Sequence, residues 1–421
     1  MRALDVWLYG RRAGRLEQDG GQLRFGYADD YRADGGPPLS CSLPTAGGPY
    51  EREAEAFFAN LLPDGEVRTL IARRLGVSAG NDFGLLSAIG GDCAGAVTLL
   101  APGAPSDEFD TPGDEDPSVA GPSVRWLDEA QLAEALDELP RRPLLADPDE
   151  GIRLSLAGAQ DKLPVVVEGD RIGIPLGRTP STHIVKTPIA HFDDTVANEA
   201  FCLELAGVLG LSAATAEVRA AAGRDFLLVE RYDRRREVGG RVERIHQEDF
   251  CQALAIPPQL KYESEGGPGL ADCFGLLRRV SGERAADVIG LLDAVTLNFL
   301  IGNHDAHGKN FSLLHDGRSI ALAPLYDLVA TAVYPGLDRK LAMSIGGEYR
   351  PDYVRRRHVE RFAAAAGLGA AAARRRMLAL AARAPAAAAE LVAARDDRPS
   401  VLTRVVDTVA QRAAWLQREL S

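Results

Sequence analysis

The sequence has few of the features that mark secreted, zinc-binding or membrane-spanning proteins. Five cysteines are spread over 421 residues with no C-x-x-C pair, namely Cys41, Cys93, Cys202, Cys251 and Cys273. This spacing predicts buried free thiols in a reducing compartment rather than disulfides or a zinc site. No apolar run approaches the length of about 18 residues that a membrane span requires. Residues 1–5 lack the apolar core of a signal peptide, so we expect a cytoplasmic protein with no membrane partner.

The chain is also short of positive charge. Its 48 Lys and Arg residues stand against 60 Asp and Glu residues, which gives a formal net charge of −12 at pH 7. An acidic chain is a poor general binder of nucleic acid, because phosphate contacts need clustered basic side chains. The basic runs at residues 355–358 and 374–376 are typical of solvated helix faces or helix C-termini. We therefore expect any association with DNA to come through a partner protein.

Composition divides the chain into four regions. Residues 1–100 show short strand patterns followed by helical periodicity. Residues 101–124 are rich in Pro and Gly and carry six acids without a Lys or Arg, which predicts a linker or loop. Residues 125–240 begin with a predicted helix at about 128–139 and then show strand patterns around a second helix at 195–209. Residues 241–421 predict an all-helical lobe with one loop-rich stretch at 301–330. This order favours an α+β fold with two lobes and a cleft between them.

The strongest chemical signal is the polar segment 302–310, GNHDAHGKN. Asp305 and Asn310 have four residues between them, and Asp327 follows seventeen residues after Asn310. A protein kinase needs an Asp to accept the substrate hydroxyl proton, an Asn to hold magnesium, and a second Asp to bridge metal and phosphates. These hard oxygen ligands suit magnesium. A polar turn between helices has a similar composition, so the spacing gains its weight from Asp327.

A second signal is a lysine at the end of a strand. Lys186 closes the apolar run 182–186, THIVK, and Glu199 lies thirteen residues further on, in the predicted helix. Kinases use such a Lys–Glu pair to fix the lysine that holds the α- and β-phosphates. The alternative interpretation is a surface lysine and an exposed helix acid.

Two further segments fit a nucleotide site. The small residues of segment 155–162, SLAGAQDK, would let backbone N–H groups approach phosphate oxygens. No Walker A motif is present, which disfavours a P-loop ATPase. Segment 227–233, LLVERYD, would place backbone beside an adenine ring at a hinge between lobes. A hairpin turn and a plain edge strand are the alternatives, but all six signals follow one another in the order that a kinase cleft requires.

Together with segments 246–249, 298–312 and 324–327, these motifs resemble the HipA family over nearly the whole chain. The resemblance implies a protein-kinase-like fold with a strand-rich N-lobe, an extra N-terminal subdomain and an all-helical C-lobe. It implies a serine/threonine protein kinase that uses ATP and Mg²⁺ and acts as the toxin of a toxin–antitoxin system. The family's known targets include aminoacyl-tRNA synthetases, whose phosphorylation stops translation. A HipB-like helix-turn-helix antitoxin would neutralise the toxin and anchor it to operator DNA.

The same resemblance assigns roles to single residues. Asp305 would be the catalytic base, Asn310 and Asp327 would hold magnesium, and Glu199 would support Lys186. Ser155 would be autophosphorylated, which would push the phosphate loop out of the site. The residues that would bind ATP are Ala157, Gly158, Ala159, Gln160, Asp161, Lys162, Lys186, Glu230, Arg231, Tyr232, Asp305, Ala306, His307, Tyr326 and Asp327.

Two other functions remain open from the sequence. One is a binding module whose kinase cleft is silent and which serves as a co-repressor, although intact Asp305, Asn310 and Asp327 argue against it. The other is a small-molecule kinase that acts on a sugar, an antibiotic or a phosphoinositide. Labelling with radioactive ATP would test the first alternative, and phosphoproteomics after induced expression would test the second.

Overall fold

The computed structural model describes residues 2–103, 123–158, 160–238, 240–317 and 319–421. Most of the expected linker at 101–124, and Ala159 of the expected phosphate loop, therefore lie outside the described residues. Within the described ranges, no helix has both the length and the apolar character needed to cross a membrane. All five cysteines are free, as the sequence predicts; four are buried and Cys41 is half-buried.

The N-terminal domain, residues 2–100, is an antiparallel sheet packed against short helices. Its strands, in the spatial order β3-β2-β1-β4, are β1 (Arg2–Leu8), β2 (Arg11–Asp19), β3 (Gln22–Tyr27) and β4 (Val97–Leu100). Its helices are α1 (Asp29–Ala33), α2 (Arg52–Ala59), α3 (Gly65–Arg74) and α4 (Asp82–Ile89). Phe25 of β3 packs on Phe58 of α2 with ring centroids 5.7 Å apart, inside a hydrophobic core that belongs to this domain.

The N-lobe is a six-stranded antiparallel sheet in the order β5-β7-β6-β8-β10-β9. Its strands are β5 (Ser123–Leu127), β6 (Lys162–Glu168), β7 (Arg171–Leu176), β8 (His183–Lys186), β9 (Ala216–Ala221) and β10 (Arg224–Glu230). Its helices are α5 (Glu129–Glu138), which begins with an Asp128 capping box, and α6 (Thr195–Val208). In the register of the central strand β8, Lys186 lies opposite Lys162 on one side and Leu227 on the other. The sheet therefore puts two lysines side by side.

The C-lobe is mainly helical, but the expectation of an all-helical lobe is wrong. Its helices are α7 (Phe250–Ala253), α8 (Leu270–Val280), α9 (Arg284–Ile301), α10 (Arg356–Ala365), α11 (Ala370–Ala393) and α12 (Ser400–Leu420). A ribbon of β11 (Arg234–Arg236) and β12 (Val242–Arg244) leads into a three-stranded sheet of β13 (His246–Asp249), β14 (Ser312–Asp316) and β15 (Ser319–Leu322). These strands have three to five residues each, too few to show a period of two in the sequence.

Residues 361–394 are rich in Ala and Arg, a composition that predicts packed helices rather than a functional low-complexity tract, and the structure has helices there. Helix α11 buries small side chains, among them Ala373, Ala381 and Ala388, in the core that it shares with α9 and α12. Small side chains allow helix backbones to approach closely while the charged residues remain at the surface. The low-complexity composition therefore serves packing.

Candidate active site

A buried lysine between two carboxylates lies at the centre of the cleft. Lys186 Nζ is 2.6 Å from Glu199 Oε1 on α6 and 2.9 Å from Asp327 Oδ1. Burial opposes the charge of Lys186, but the carboxylates of Asp327 and Glu199 outweigh it and raise the lysine's pKa. The lysine in turn holds the pKa of Asp327 well below its usual range. The expected Lys–Glu pair is therefore formed, and Asp327 joins it as a third, ionised member.

The loop that carries Asp305 and Asn310 starts where α9 ends. Gly302 closes that helix in the left-handed region, at φ 71°, and an added Cβ would lie 2.7 Å from Ala332 Cβ. Glycine is the residue that adopts this backbone without strain. Beyond this cap the chain turns back toward the cleft, and Asn310 Nδ2 donates to Asp327 Oδ2 at 2.7 Å. Asp327 itself has a left-handed backbone, at φ 56°.

Asp305 lies at the exposed mouth of the cleft. Its backbone N–H donates to Asn303 Oδ1 at 3.1 Å, and its Oδ1 accepts the hydroxyl of Tyr262 at 2.7 Å. Partial desolvation raises the pKa of Asp305, while the Tyr262 hydroxyl and the nearby Lys261 ammonium oppose that rise. A carboxylate in this position can accept a proton from an incoming hydroxyl group.

The segment 155–162 approaches the same lysine from the N-lobe. Gly158 adopts φ 109°, a left-handed backbone that favours glycine, and Lys162 Nζ lies close to its Cα. Lys162 Nζ donates to Ala157 O at 2.6 Å, and Gln160 Nε2 donates to Thr187 O at 3.0 Å. Burial lowers the pKa of Lys162 to about 8, and Lys186 adds to this effect. Asp161 is half-buried, and desolvation raises its pKa.

Ser155 faces away from the cleft and is fully buried. Its Oγ donates to Leu61 O at 2.8 Å, and its backbone N–H donates to Asp92 O at 3.0 Å. In this conformation its hydroxyl is engaged with the N-terminal domain. Transfer of a phosphoryl group to Ser155 therefore requires the segment to leave that domain first.

The expected hinge residues divide between two environments. Tyr232 and Tyr326 stack obliquely, with ring centroids 5.9 Å apart, beside an apolar cluster that includes Val229. Glu230 is exposed and donates its backbone N–H to Thr215 O.

The Arg231 side chain instead points into a buried salt-bridge network with Asp92 and Asp233. Its backbone N–H and carbonyl also bond within the protein, to Thr182 O and Arg234 N–H. The structure thus brings Tyr232 to the cleft but not the Arg231 side chain.

Ala306 and His307 complete the loop around Asp305. Ala306 is half-buried against the C-lobe core, and His307 is buried with its ring edge-on to Tyr262. Burial lowers the pKa of His307 to about 3, so its imidazole is neutral. Among the residues that the structure describes, none forms a hydrogen bond with His307 Nδ1. A buried polar atom of this kind is suited to a ligand or a water molecule.

Magnesium and ATP are the groups that the sequence implies, and the residues fit them. Asp327 offers an ionised carboxylate and Asn310 an amide, which are the hard ligands that Mg²⁺ prefers. Lys162 and Lys186 lie beside them on neighbouring strands, where they can face phosphate oxygens. The arrangement combines two oxygen donors that could hold a metal ion, two lysine side chains, and a carboxylate that could accept a proton.

A second polar cluster lies where the N-terminal domain meets β13 and β14. Glu248 is completely buried and accepts hydrogen bonds from the Ser40 hydroxyl, the Cys41 backbone N–H at 3.0 Å and His315 Nε2 at 3.0 Å. These bonds from the protein satisfy both carboxylate oxygens. The cluster therefore acts as a structural joint between the two parts.

Comparisons with known proteins agree with this geometry. A family model described as the HipA-like C-terminal domain matches residues 154–388, and one described as the HipA N-terminal domain matches residues 4–100. The chain belongs to the HipA family. A putative kinase of Sinorhizobium fredii, Y4mE, is 48% identical over 376 residues, which cover 88% of this chain and 87% of that protein. The serine/threonine-protein kinase toxin HipA of Shewanella oneidensis is 32% identical over 354 residues, which cover 81% of this chain and 78% of that protein.

A solved HipA structure shares the fold. Shewanella oneidensis HipA, in a complex with HipB and its operator DNA, superposes with a TM-score of 0.84 at 29% identity. The match covers 99% of this chain and 97% of that one. The chain is therefore an α+β, kinase-like HipA protein, and its relatives identify it as a kinase.

Sequence reasoning missed two residues at the cleft. Tyr262 contacts Asp305, and Asp64 of the N-terminal domain binds Lys309 of the same loop, with Nζ–Oδ2 at 2.9 Å. Both come from segments far from 302–310 in the chain, and neither belongs to a motif with a fixed spacing. Only the tertiary fold brings them to the site.

Proposed function

We propose that this HipA protein is an ATP- and Mg²⁺-dependent serine/threonine protein kinase. The observation that carries the proposal is the convergence of Lys186, Asn310 and Asp327 within hydrogen-bonding distance, with Asp305 at the open end of the same loop. In kinases these residue types position the nucleotide and accept the hydroxyl proton.

Each residue has a part in the proposed reaction. Asp305 would accept the proton of a serine or threonine hydroxyl as the oxygen attacks the γ-phosphate. Lys186, oriented by Glu199, would hold the α- and β-phosphates, and backbone groups of residues 157–162 would cover them. Asn310 and Asp327 would hold Mg²⁺, which when bound neutralises charge on the phosphates. Glu230, Tyr232 and Tyr326 would border the adenine, with Ala306 and His307 close to the nucleotide.

We also propose that the protein works as a cytoplasmic toxin with a protein antitoxin. The support is the complex of Shewanella HipA with HipB and operator DNA, together with the likeness over the whole length of that chain. The partner would be a small helix-turn-helix protein that brings operator DNA with it. The substrate would be a protein whose loss stops translation, with aminoacyl-tRNA synthetases as candidates, and the enzyme would silence itself by phosphorylating Ser155.

Incubation of the protein with γ-labelled ATP and Mg²⁺ tests the proposal. We expect label on Ser155 in the wild type, and a loss of the transfer rate by about a hundredfold or more in Asp305→Asn, because proton acceptance contributes at least that much. ATP affinity should change little, since Asp305 contacts the acceptor side. Asp316→Asn is the matched control, because its carboxylate is exposed at the end of β14.

Three results would count against parts of the proposal. ATP binding without any transfer of label would favour the silent co-repressor. Label found only on added small molecules would favour a small-molecule kinase. Transfer at the wild-type rate by Asp305→Asn would remove Asp305 from its role.

A further inference from the structure

One turn of the N-terminal domain touches both loops of the proposed active site. This turn, residues 61–64, follows α2 directly. Leu61 O accepts the Ser155 hydroxyl at 2.8 Å, Pro63 forms a parallel β-bridge with Gly158, and the Asp64 backbone N–H donates to Gly158 O at 3.1 Å. The start of the phosphate loop is thus held through the backbone of this turn.

The side chain of Asp64 makes a separate contact with the other loop. Lys309 Nζ is 2.9 Å from Asp64 Oδ2 and 3.1 Å from Oδ1, and Lys261 Nζ is 3.9 Å from Oδ2. Only 5% of the Lys309 side chain and 16% of the Asp64 side chain are exposed. A lysine as buried as this needs a charged partner. Asp64 is therefore the group that holds the Lys309 side chain in place.

The position of Lys309 determines the positions of both proposed magnesium ligands. Asn310 is the next residue along the chain. The carbonyl oxygen of Lys309 accepts the Tyr326 hydroxyl at 2.6 Å, and Tyr326 directly precedes Asp327. A shift of Lys309 would therefore move Asn310 through the backbone and Asp327 through Tyr326, and would disturb the 2.7 Å contact between the two ligands.

We propose that Asp64 is a positioning residue for the magnesium–nucleotide complex, so that the N-terminal domain supplies part of the kinase site. The inference rests on the proposed function, since it concerns the same two proposed magnesium ligands, Asn310 and Asp327. Asp64 touches neither substrate nor metal and acts through Lys309. Substitution of groups that orient metal ligands lowers metal affinity by about ten- to a hundredfold. A residue that only joined two domains would leave the metal dependence of nucleotide binding unchanged.

The variant Asp64→Asn separates the two contacts of this residue. It keeps the backbone N–H that binds Gly158 and weakens the carboxylate contacts with Lys309 and, at 3.9 Å, with Lys261. Asp82→Asn is the matched control, because Asp82 is 18% exposed, lies in the same domain and is also paired with a basic side chain, that of Arg68. The double variant Asp64→Asn/Lys309→Met removes both charges and so avoids leaving a buried ammonium unpaired.

Isothermal titration of the full chain with ATP, in Mg²⁺ and in EDTA, is the test. We expect Asp64→Asn to weaken binding of Mg²⁺–ATP by about tenfold or more and metal-free ATP much less. Asp82→Asn should match the wild type in both titrations. In the Lys309→Met background, Asp64→Asn should cause no further loss of Mg²⁺–ATP affinity, because the contact between the two side chains is already gone.

Hydrogen exchange of the protein without ligand is a second measurement. Amide hydrogens of residues 303–311 should exchange faster in Asp64→Asn than in the Asp82→Asn control.

Two outcomes would overturn the inference while leaving the proposed function intact. One is Mg²⁺–ATP affinity in Asp64→Asn equal to that of the wild type. The other is an equal loss of affinity with and without Mg²⁺, which would make Asp64 a structural strut. A wild-type protein that binds no ATP would instead refute the proposed function, and this inference with it.

Discussion

At the scale of single residues, the pKa values of two neighbouring lysines in this site shift in opposite directions. Lys186 lies between Glu199 and Asp327, which raise its pKa, whereas burial lowers the pKa of Lys162 to about 8. Lys162 Nζ donates to a carbonyl, Ala157 O, rather than to a carboxylate. Lys186 is thus already paired with two carboxylates. Within the described part of the chain, the ammonium of Lys162 has no carboxylate in hydrogen-bonding contact, so a bound polyanion would stabilise its charged form.

This difference predicts a pH dependence of nucleotide binding. Phosphate oxygens favour the charged form of Lys162, so ATP binding requires proton uptake once the pH exceeds about 8. The affinity of the wild type should then fall by up to about tenfold per pH unit. Lys162→Met should bind ATP more weakly at neutral pH and lack this fall. Titration calorimetry across the range measures both, with the exposed Lys340→Met as control. A wild-type ATP affinity that stays constant above about pH 8 would show that Lys162 is not the group that titrates there.

Much of the site at this scale could be predicted from the sequence alone. Asp305, Asn310 and Asp327 follow a spacing with a mechanical reason, and Lys186 and Glu199 are placed by a strand and a helix of the expected type. The contact of Tyr262 with Asp305 could not be predicted, because the residues are distant in sequence and no spacing rule links them. The burial of Ser155 was equally out of reach, since it depends on Leu61 and Asp92 from another domain.

At the scale of elements, the cap of helix α9 sets the start of the catalytic loop. Gly302 ends the helix, and the Ala332 backbone N–H donates to Gly302 O at 2.9 Å. An apolar helix closed by a glycine before polar residues is the sequence pattern typical of such a boundary. The hairpin of β14 and β15 carried a signal too: Asp316-Gly317 is a turn pair between two short apolar runs. The hairpin lies within residues 301–330, for which the sequence predicts a loop-rich stretch.

We expect Gly302→Ala to destabilise the protein by about 2–3 kcal/mol, because it combines a strained left-handed backbone with overpacking against Ala332. Gly317→Ala is the matched control. Gly317 also has a positive φ, at 56°, but a Cβ there would meet nothing within 4 Å. Gly317→Ala should lower the free energy of unfolding by only about 1 kcal/mol, because backbone strain is its only cost. Urea unfolding of both variants isolates the packing contribution, and equal losses would show that Ala332 is not the obstacle.

At the scale of the whole molecule, a buried charge network connects the N-terminal domain to the hinge. Asp92 lies within 2.9 Å of Arg234, 3.1 Å of Arg244 and 3.3 Å of Arg231. Burial disfavours the charge of Asp92, but these guanidinium groups outweigh it and hold its pKa well below the usual range. The Asp92 backbone carbonyl also accepts Ser155 N–H. One residue thus ties the domain to the hinge and to the segment that leads into the phosphate loop.

Asp92→Ala should therefore lower the free energy of unfolding by about 3–5 kcal/mol, because it leaves buried arginines without their shared partner. The unfolding midpoint in urea measures this loss. Asp34→Ala removes an ion pair with Arg11 whose side chains are 50% and 67% exposed, and it should change stability by less than about 1 kcal/mol. Similar midpoints for the two variants would mean that the network contributes little.

The same network bears on how this enzyme can be dissected in the laboratory. A recombinant fragment that started after residue 100 would bare Arg231, Arg234 and Arg244 to solvent and deprive Glu248 of Ser40. If such a fragment were inactive, the loss of activity could not be distinguished from a failure to fold. Point substitutions in the intact chain are the cleaner tool, and the kinase lobes should be produced together with the domain that completes their interior.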